Sequence, residues 1–292
     1  ADARVPVVQT LHNYRLICPQ ALLLRNGRPC EKCVTGSAYH AVLYGCYRGS
    51  RLVSLVPARM VSINRRRGTW RSKVTRYIAL TRFAKEKFIK GGLPADRIAV
   101  KPNFIADPAA KREAGAVRRE GALFVGRLSP EKGIGTLLQA WRDLAVPLRI
   151  LGDGPLADRV EQCDNPAVKS LGWKSSSDVV AEMHCAAFLV LPSEWYEGFG
   201  MVIVEAFATA LPIVASRLGA MAEVIDDSVT GLHFEPGNPA DLAAKVRWAV
   251  DNPSDMRRMG ENARRVYEDR YTPEVNYRQL MAIYDQAAEA AH

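Results

Sequence analysis

Two carboxylates, Glu197 and Glu205, stand eight positions apart with Gly198-Phe-Gly200 between them. The glycines let the backbone approach a ligand closely. The amides of Phe199, Gly200 and Met201, opening a helix, form a ready anion site. Glu205 falls one turn inside the helix expected over Met201–Thr209, among Val202, Ile203, Val204, Ala206, Phe207 and Ala208. A carboxylate buried without a partner is expensive, and a pair of ribose hydroxyls donating to it would remove that cost. A surface glutamate on an amphipathic helix fits poorly, because its neighbours are apolar on nearly all sides.

A second constellation is Phe124-Val-Gly-Arg-Leu-Ser-Pro-Glu-Lys-Gly133. Arg127 follows a strand and Lys132 precedes a helix, so both cations can face one crevice. A planar fork and a mobile point charge suit a diphosphate, and an exposed loop with ordinary surface charges explains the same spacing. A third, Gly152-Asp-Gly154 with Ala157, satisfies a weak dinucleotide fingerprint. It does not open its domain, and no acid follows about 20 residues on. A tight turn with Pro155 at the first helical position accounts for it better than a dinucleotide oxidoreductase does. Four of the six cysteines, Cys18, Cys30, Cys33 and Cys46, cluster early. Their spacing allows a structural zinc site stapling an irregular loop, or a set of reduced thiols.

The elements that must position these groups form a regular series. From residue 121 short apolar runs alternate with helical patterns: strands begin near Ala122, Pro147, Val168, Phe188, Pro212 and Gly231, and helices run between them. Such alternation forces parallel strands with right-handed crossovers, a doubly wound α/β domain. The first hundred residues carry three strands, around Val5–Thr10, Tyr77–Leu80 and Ile98–Val100, and Thr81 is placed to cap the helix Arg82–Lys90. Pro102–Ala110 reads as a hinge, and the helices Ser254–Glu268 and Pro273–Ala290 close the chain.

The chain of 292 residues is long enough for two such domains. Its net charge of +9 is concentrated, because residues 51–90 hold twelve Lys or Arg against the single acid Glu86, leaving about −2 elsewhere. A solvated basic face or peripheral contact with an anionic membrane fits this block. No nucleic-acid motif accompanies the charge, so nucleic acid is not an expected partner. No apolar run approaches the ~20 residues of a membrane span, and with no secretory signal the expectation is a cytoplasmic protein, free or peripheral at the inner membrane surface.

Taken in order, Val125-Gly-Arg-Leu-Ser-Pro-Glu-Lys-Gly133, Leu151-Gly-Asp-Gly-Pro155, Leu171-Gly-Trp173, Glu197-x7-Glu205, Thr230-Gly-Leu232 and Phe234-x-Pro-Gly237 resemble glycosyltransferase family 4 over residues 121–250. These are retaining enzymes of the two-Rossmann GT-B architecture, carrying the glycosyl transferases group 1 domain. Leu11-His-Asn-Tyr-Arg-Leu-Ile-Cys-Pro19 resembles the segment of the first domain that faces the donor sugar.

The resemblance implies two Rossmann-like domains: residues 1–105 with the helix 273–292 as a truncated acceptor-side domain, and 106–272 as the nucleotide-sugar domain. About 90 residues of first domain would precede the chain in a complete relative, an estimate from ordinary domain size. A homodimer pairing the open sheet edges is then expected. Arg127 and Lys132, beside Gly126, would hold the diphosphate of a UDP- or GDP-linked sugar, and Glu205 its ribose. Glu197 with Gly198, Phe199, Gly200 and Met201 would face sugar and phosphate. His12 would contact the sugar, and the loop around Trp173 would lie near the base.

No catalytic cofactor or metal is implied, and no D-x-D triplet suggests one. The acceptor would be a saccharide, lipid-linked glycan or small molecule. Where many relatives show Gly-Gly, this chain has Leu218-Gly-Ala220, which bears on how the sugar is seated. The alternative is a donor-binding module that needs another chain for transfer.

Overall fold

The computed structural model describes residues 5–108 and 119–290. The expected domain spans and the expected linker over 102–110 extend beyond these, at 1–4, 109–118 and 291–292. The described chain divides into two units. Unit 1 comprises residues up to Asn103, Trp195–Phe199, and residues from Glu274 on; unit 2 comprises Phe104–Glu194 and Gly200–Pro273.

Unit 1 is built on a parallel sheet of β1 (Val8–Leu11), β4 (Arg76–Ala79) and β5 (Ile98–Val100), in the order β1-β4-β5. Between β1 and β4 come a small hairpin, β2 (Leu24–Arg25) with β3 (Arg28–Pro29), and four helices. These are α1 (Lys32–Thr35), α2 (His40–Leu43), α3 (Arg51–Arg66) and α4 (Thr69–Ser72). Helix α5 (Arg82–Lys90) follows β4, and Thr81 caps it by accepting from the Ala84 amide, as its side chain and position require. Leu11, Tyr14, Ile17, Tyr77, Phe88 and Ile98 form the core of this unit. Helix α13 (Pro273–Glu289) joins it through a buried polar knot. There Lys101 Nζ donates to Asn276 Oδ1 at 3.0 Å, and Asn276 Nδ2 donates to the Pro102 carbonyl at 2.7 Å. Burial pushes the Lys101 amine below its ordinary range, and the partnered amide keeps that burial tolerable.

Unit 2 is a six-stranded parallel sheet. Its strands are β6 (Ala122–Val125), β7 (Leu148–Leu151), β8 (Val168–Gly172), β9 (Phe188–Leu191), β10 (Ile213–Ser216) and β11 (Gly231–Phe234). Its helices are α6 (Ile134–Ala140), α7 (Ala157–Glu161), α8 (Ser176–Cys185), α9 (Met201–Ala208), α10 (Gly219–Val224), α11 (Pro239–Asp251) and α12 (Pro253–Arg270). The strand order is β11-β10-β9-β6-β7-β8. The chain starts in the middle at β6, runs outward to β8, then returns to β9 on the other flank of β6. The sheet is therefore doubly wound, with its direction of winding reversed between β6 and β9. Strands covered on both faces read as continuous apolar runs, and all four residues of both β9 and β10 are buried. Among the described residues no helix is long and apolar enough to cross a membrane.

Candidate functional site

In an open parallel sheet, ligands collect outside the carboxyl ends of the strands where the winding reverses. Here that place lies between β6 and β9, and the sequence-expected cations follow β6. Arg127 is exposed and Lys132 is half-buried at the end of the 3-10 turn Pro130–Lys132. The loop after β6 is stitched to the loop after β9. The Glu194 amide donates to the Glu131 carbonyl at 2.9 Å, and Thr136 Oγ1 donates to Glu194 Oε1 at 2.5 Å. Gly133 makes the seam possible. It adopts φ +72°, and a Cβ there would fall 1.8 Å from the Pro192 carbonyl oxygen.

Across the seam, α9 begins at Gly200, which adopts φ +80° as the N-cap. Its first amides have no intrahelical acceptor and its dipole is positive at this end. The opposite end is neutralised by cations: Arg264 donates to the Ala208 carbonyl, and Arg119 to those of Thr209 and Ala210. Asp107 holds the Arg264 guanidinium with both oxygens, at 2.9 and 2.5 Å. Glu205 is half-buried on α9, and burial pushes its carboxyl above the ordinary carboxylate range. No described side chain pairs with that carboxyl. Trp173 follows β8 at the same end of the sheet and is 75% exposed. Gly126, Arg127, Lys132, Trp173, Gly200, Met201 and Glu205 thus belong to unit 2, at one end of its sheet.

Gly152-Asp-Gly154 has a different physical cause from the turn expected. A Cβ on Gly152 would lie 1.9 Å from the Gly126 carbonyl oxygen, and one on Gly154 2.5 Å from that of Leu128. The glycines therefore let the loop after β7 lie against the loop after β6. Pro155 also stands outside α7, whose N-cap is Leu156, and not at its first position.

The remaining candidates, His12, Glu197, Gly198 and Phe199, belong to unit 1. His12 is exposed just beyond β1, and its carbonyl oxygen lies 3.1 Å from where a Gly198 Cβ would stand. Glu197 is 8% exposed and Phe199 is buried. The segment is fixed by a residue that sequence reasoning missed. Tyr196 packs edge-on against Phe83 of α5 at 4.8 Å and lies under Lys87 Nζ at 5.1 Å, and burial, reinforced by the nearby Glu31, pushes its phenol above the ordinary range. Glu31 in turn pairs with Lys87 at 2.6 Å and Lys90 at 2.7 Å. Burial opposes charge on Glu31, but the two lysines outweigh it and hold its carboxyl below the ordinary range. The only sequence signal was an aromatic beside Glu197, with partners more than 100 residues away.

The zinc expectation is not supported. Cys18, Cys30, Cys33 and Cys46 are unpaired thiols, and among the described residues no group of three or more His, Cys, Asp or Glu is placed to hold a metal. Burial, reinforced by the neighbouring Cys18, Cys46 and Cys30, pushes the Cys33 thiol up to about 12. The loop is stapled by other means. Arg65 donates to the carbonyls of Cys33, Val34 and Gly36, and Glu31 anchors it to α5.

Comparison with known proteins agrees with this architecture. The model of the family described as glycosyl transferases group 1 matches residues 109–266, more than half of the chain. An uncharacterised glycosyltransferase of Methanocaldococcus jannaschii is 38% identical over 149 residues, 49% of this chain and 41% of that protein. The alpha-D-kanosaminyltransferase of Streptomyces kanamyceticus is 30% identical over 172 residues, 56% of this chain and 44% of that one. The matched stretches thus span less than half the length of either relative.

Among solved structures, Anabaena HepE in complex with UDP superposes with a TM-score of 0.69 at 21% identity, covering 97% of this chain and 73% of that one. Sucrose-phosphate synthase from Thermosynechococcus elongatus gives 0.69 at 18%, covering 97% and 68%. At such identities the likeness speaks for the fold, which is of the GT-B type. The switch-point sheet and the matched family model lead to one statement: the chain belongs to the family of glycosyl transferases group 1.

Proposed function

We propose that this protein is a retaining, metal-independent glycosyltransferase of family 4 whose unit 2 binds a nucleotide-sugar at the carboxyl ends of β6 and β9. The observation that carries the reading is Glu205, a desolvated carboxylate without a described partner, one turn inside a helix whose N-terminus opens at the switch point. Paired ribose hydroxyls would satisfy it, Arg127 and Lys132 would neutralise the diphosphate, and Trp173 offers a face to the base. The UDP bound to Anabaena HepE makes a UDP-sugar the first donor to test. Gly126, Gly198, Phe199 and Met201 complete the donor-binding set, and His12 and Glu197 are assigned to the sugar.

In the proposed reaction the bond between the sugar C1 and the β-phosphate oxygen breaks, and its electron pair leaves with the diphosphate. The acceptor hydroxyl, of a saccharide, lipid-linked glycan or small molecule, forms the new bond on the same face. Its proton passes to the released phosphate. The departing charge is met by Arg127, Lys132 and the α9 N-terminus in place of a divalent ion. Transfer should therefore persist in excess chelator, and complete, metal-rescued loss would refute metal independence.

The decisive binding test is calorimetry with UDP on Glu205→Ala. Losing an acceptor of charge-assisted hydrogen bonds costs about 1.5–3 kcal/mol, so affinity should fall about tenfold to a hundredfold. Unchanged affinity would overturn the site. Turnover of a bound UDP-sugar separates an enzyme from a donor-binding module.

A further inference from the structure

Helix α3 has two faces of opposite character, and only one is used. Ser54, Pro57, Ala58 and Val61 are buried. Leu52, Leu55, Val56 and Arg59 recur at i, i+3, i+4 and i+7 on the opposite side, and all are exposed. Leu52 is 83% exposed and Val56 73%. Continuing the stripe by the same spacing brings Ile63 and then Arg66. The short helix α2 packs on α3 and adds Leu43, 57% exposed. Ser54 Oγ ties the intervening loop to α3 by accepting from the Tyr47 amide at 2.9 Å. Aliphatic side chains so placed lower the solubility of a monomer and stabilise nothing within it.

The charge around the stripe identifies what covers it. No acidic residue stands between Glu31 and Glu86, whereas this stretch carries Arg48, Arg51, Arg59, Arg65, Arg66 and Arg67. A second copy docking through the same face would set arginines against arginines. A phosphate backbone would answer the arginines but leave the leucines in water. An anionic bilayer satisfies both. Leucine and valine side chains enter the headgroup boundary, while arginine stems lie along them and carry their guanidinium groups to lipid phosphates.

We propose that the exposed α3 stripe of Leu52, Leu55, Val56 and Arg59 docks the protein on an anionic membrane surface. The docking is peripheral and reversible, since a few aliphatic side chains and arginines make a modest anchor. It is independent of whether the switch-point site transfers a sugar.

The test is co-sedimentation of the full chain with vesicles of phosphatidylglycerol and phosphatidylcholine, against phosphatidylcholine alone. Binding should require phosphatidylglycerol and weaken as salt is raised. Arg51→Ser and Arg59→Ser should each lower partitioning about fivefold. Leu52→Gln with Val56→Gln should lower it about tenfold or more, while thermal stability and UDP binding stay at wild-type values because both side chains are exposed. Equal binding to neutral vesicles, no binding at all, or full binding by L52Q/V56Q would overturn the proposal. So would a dimer mass in light scattering that L52Q/V56Q returns to monomer, because a second copy would then own the face.

Discussion

Glu205, proposed as the ribose anchor, sits where burial works against its charge. Burial pushes its folded pKa above the unfolded value, so the folded state holds its proton more tightly. Its contribution to stability is complete below the unfolded pKa and is lost as pH rises through the folded one. In the ligand-free protein, ionising this carboxyl therefore works against folding. Glu205→Gln should raise Tm at pH 7 and lose that advantage in acid, below the carboxylate range, while weakening UDP binding. A neutral-pH Tm equal to or below wild type would contradict this account. Gly133 presents the opposite case, a residue with no chemistry whose replacement disturbs the site. With φ +72° and the Pro192 oxygen 1.8 Å from the Cβ position, Gly133→Ala must move backbone. Strain of this kind costs about 1–3 kcal/mol, so calorimetry should show at least that loss, with Lys132 displaced and UDP bound more weakly. A mutant as stable as wild type would show that the loop yields freely.

At the scale of elements, the short segment Trp195–Phe199 is held by α5 of unit 1 while α9, which follows it directly, belongs to unit 2. Tyr196 is its fastener, through Phe83, Lys87 and Glu31. Aromatic pairs of this geometry contribute about 0.5–1.5 kcal/mol beyond their area. Tyr196→Phe keeps the ring contacts and loses only the hydroxyl, so it should retain most transfer activity. Tyr196→Ala removes that fastening, and if Glu197 faces the sugar as proposed, turnover should fall about tenfold or more, as misplacing a catalytic group does. With the nucleotide bound by unit 2, as proposed, UDP affinity should stay within about threefold of wild type, a small difference on the affinity scale. If both substitutions leave turnover intact, Tyr196 serves packing alone.

For the molecule as a whole, a nucleotide that binds only the folded state must stabilise it. At one hundred times Kd the gain is about 2.7 kcal/mol, which for a unit of this size raises Tm by about 5–10 °C. UDP should produce that shift in the wild type and little of it in Glu205→Ala. A shift of the same size in both would place the nucleotide elsewhere.

Much of unit 2 is legible from residue order, because short continuous apolar runs alternating with helical patterns build parallel βα units. Phe188–Leu191 and Gly231–Phe234 are strands over the expected residues, and α9 starts at the expected Met201. Glu205 stood out for the same local reason, an acid among apolar neighbours within one helix. What the residues could not disclose depends on chain segments far apart in sequence. The use of Gly152 and Gly154 is decided by backbone of the loop after β6, one strand earlier in the chain. The arginines that cap α9 come from Arg119 and Arg264, on either side of it in sequence. The four cysteines suggest a metal site by spacing, but no metal-holding group is found among the described residues, and Arg65 and Glu31 tie that loop down. Local composition determined the elements and the chemistry they carry. Only packing, which acts through distance in space and not along the chain, decided the winding reversal beside β6, the grip of α5 on Tyr196 and the apolar stripe of α3 left facing solvent.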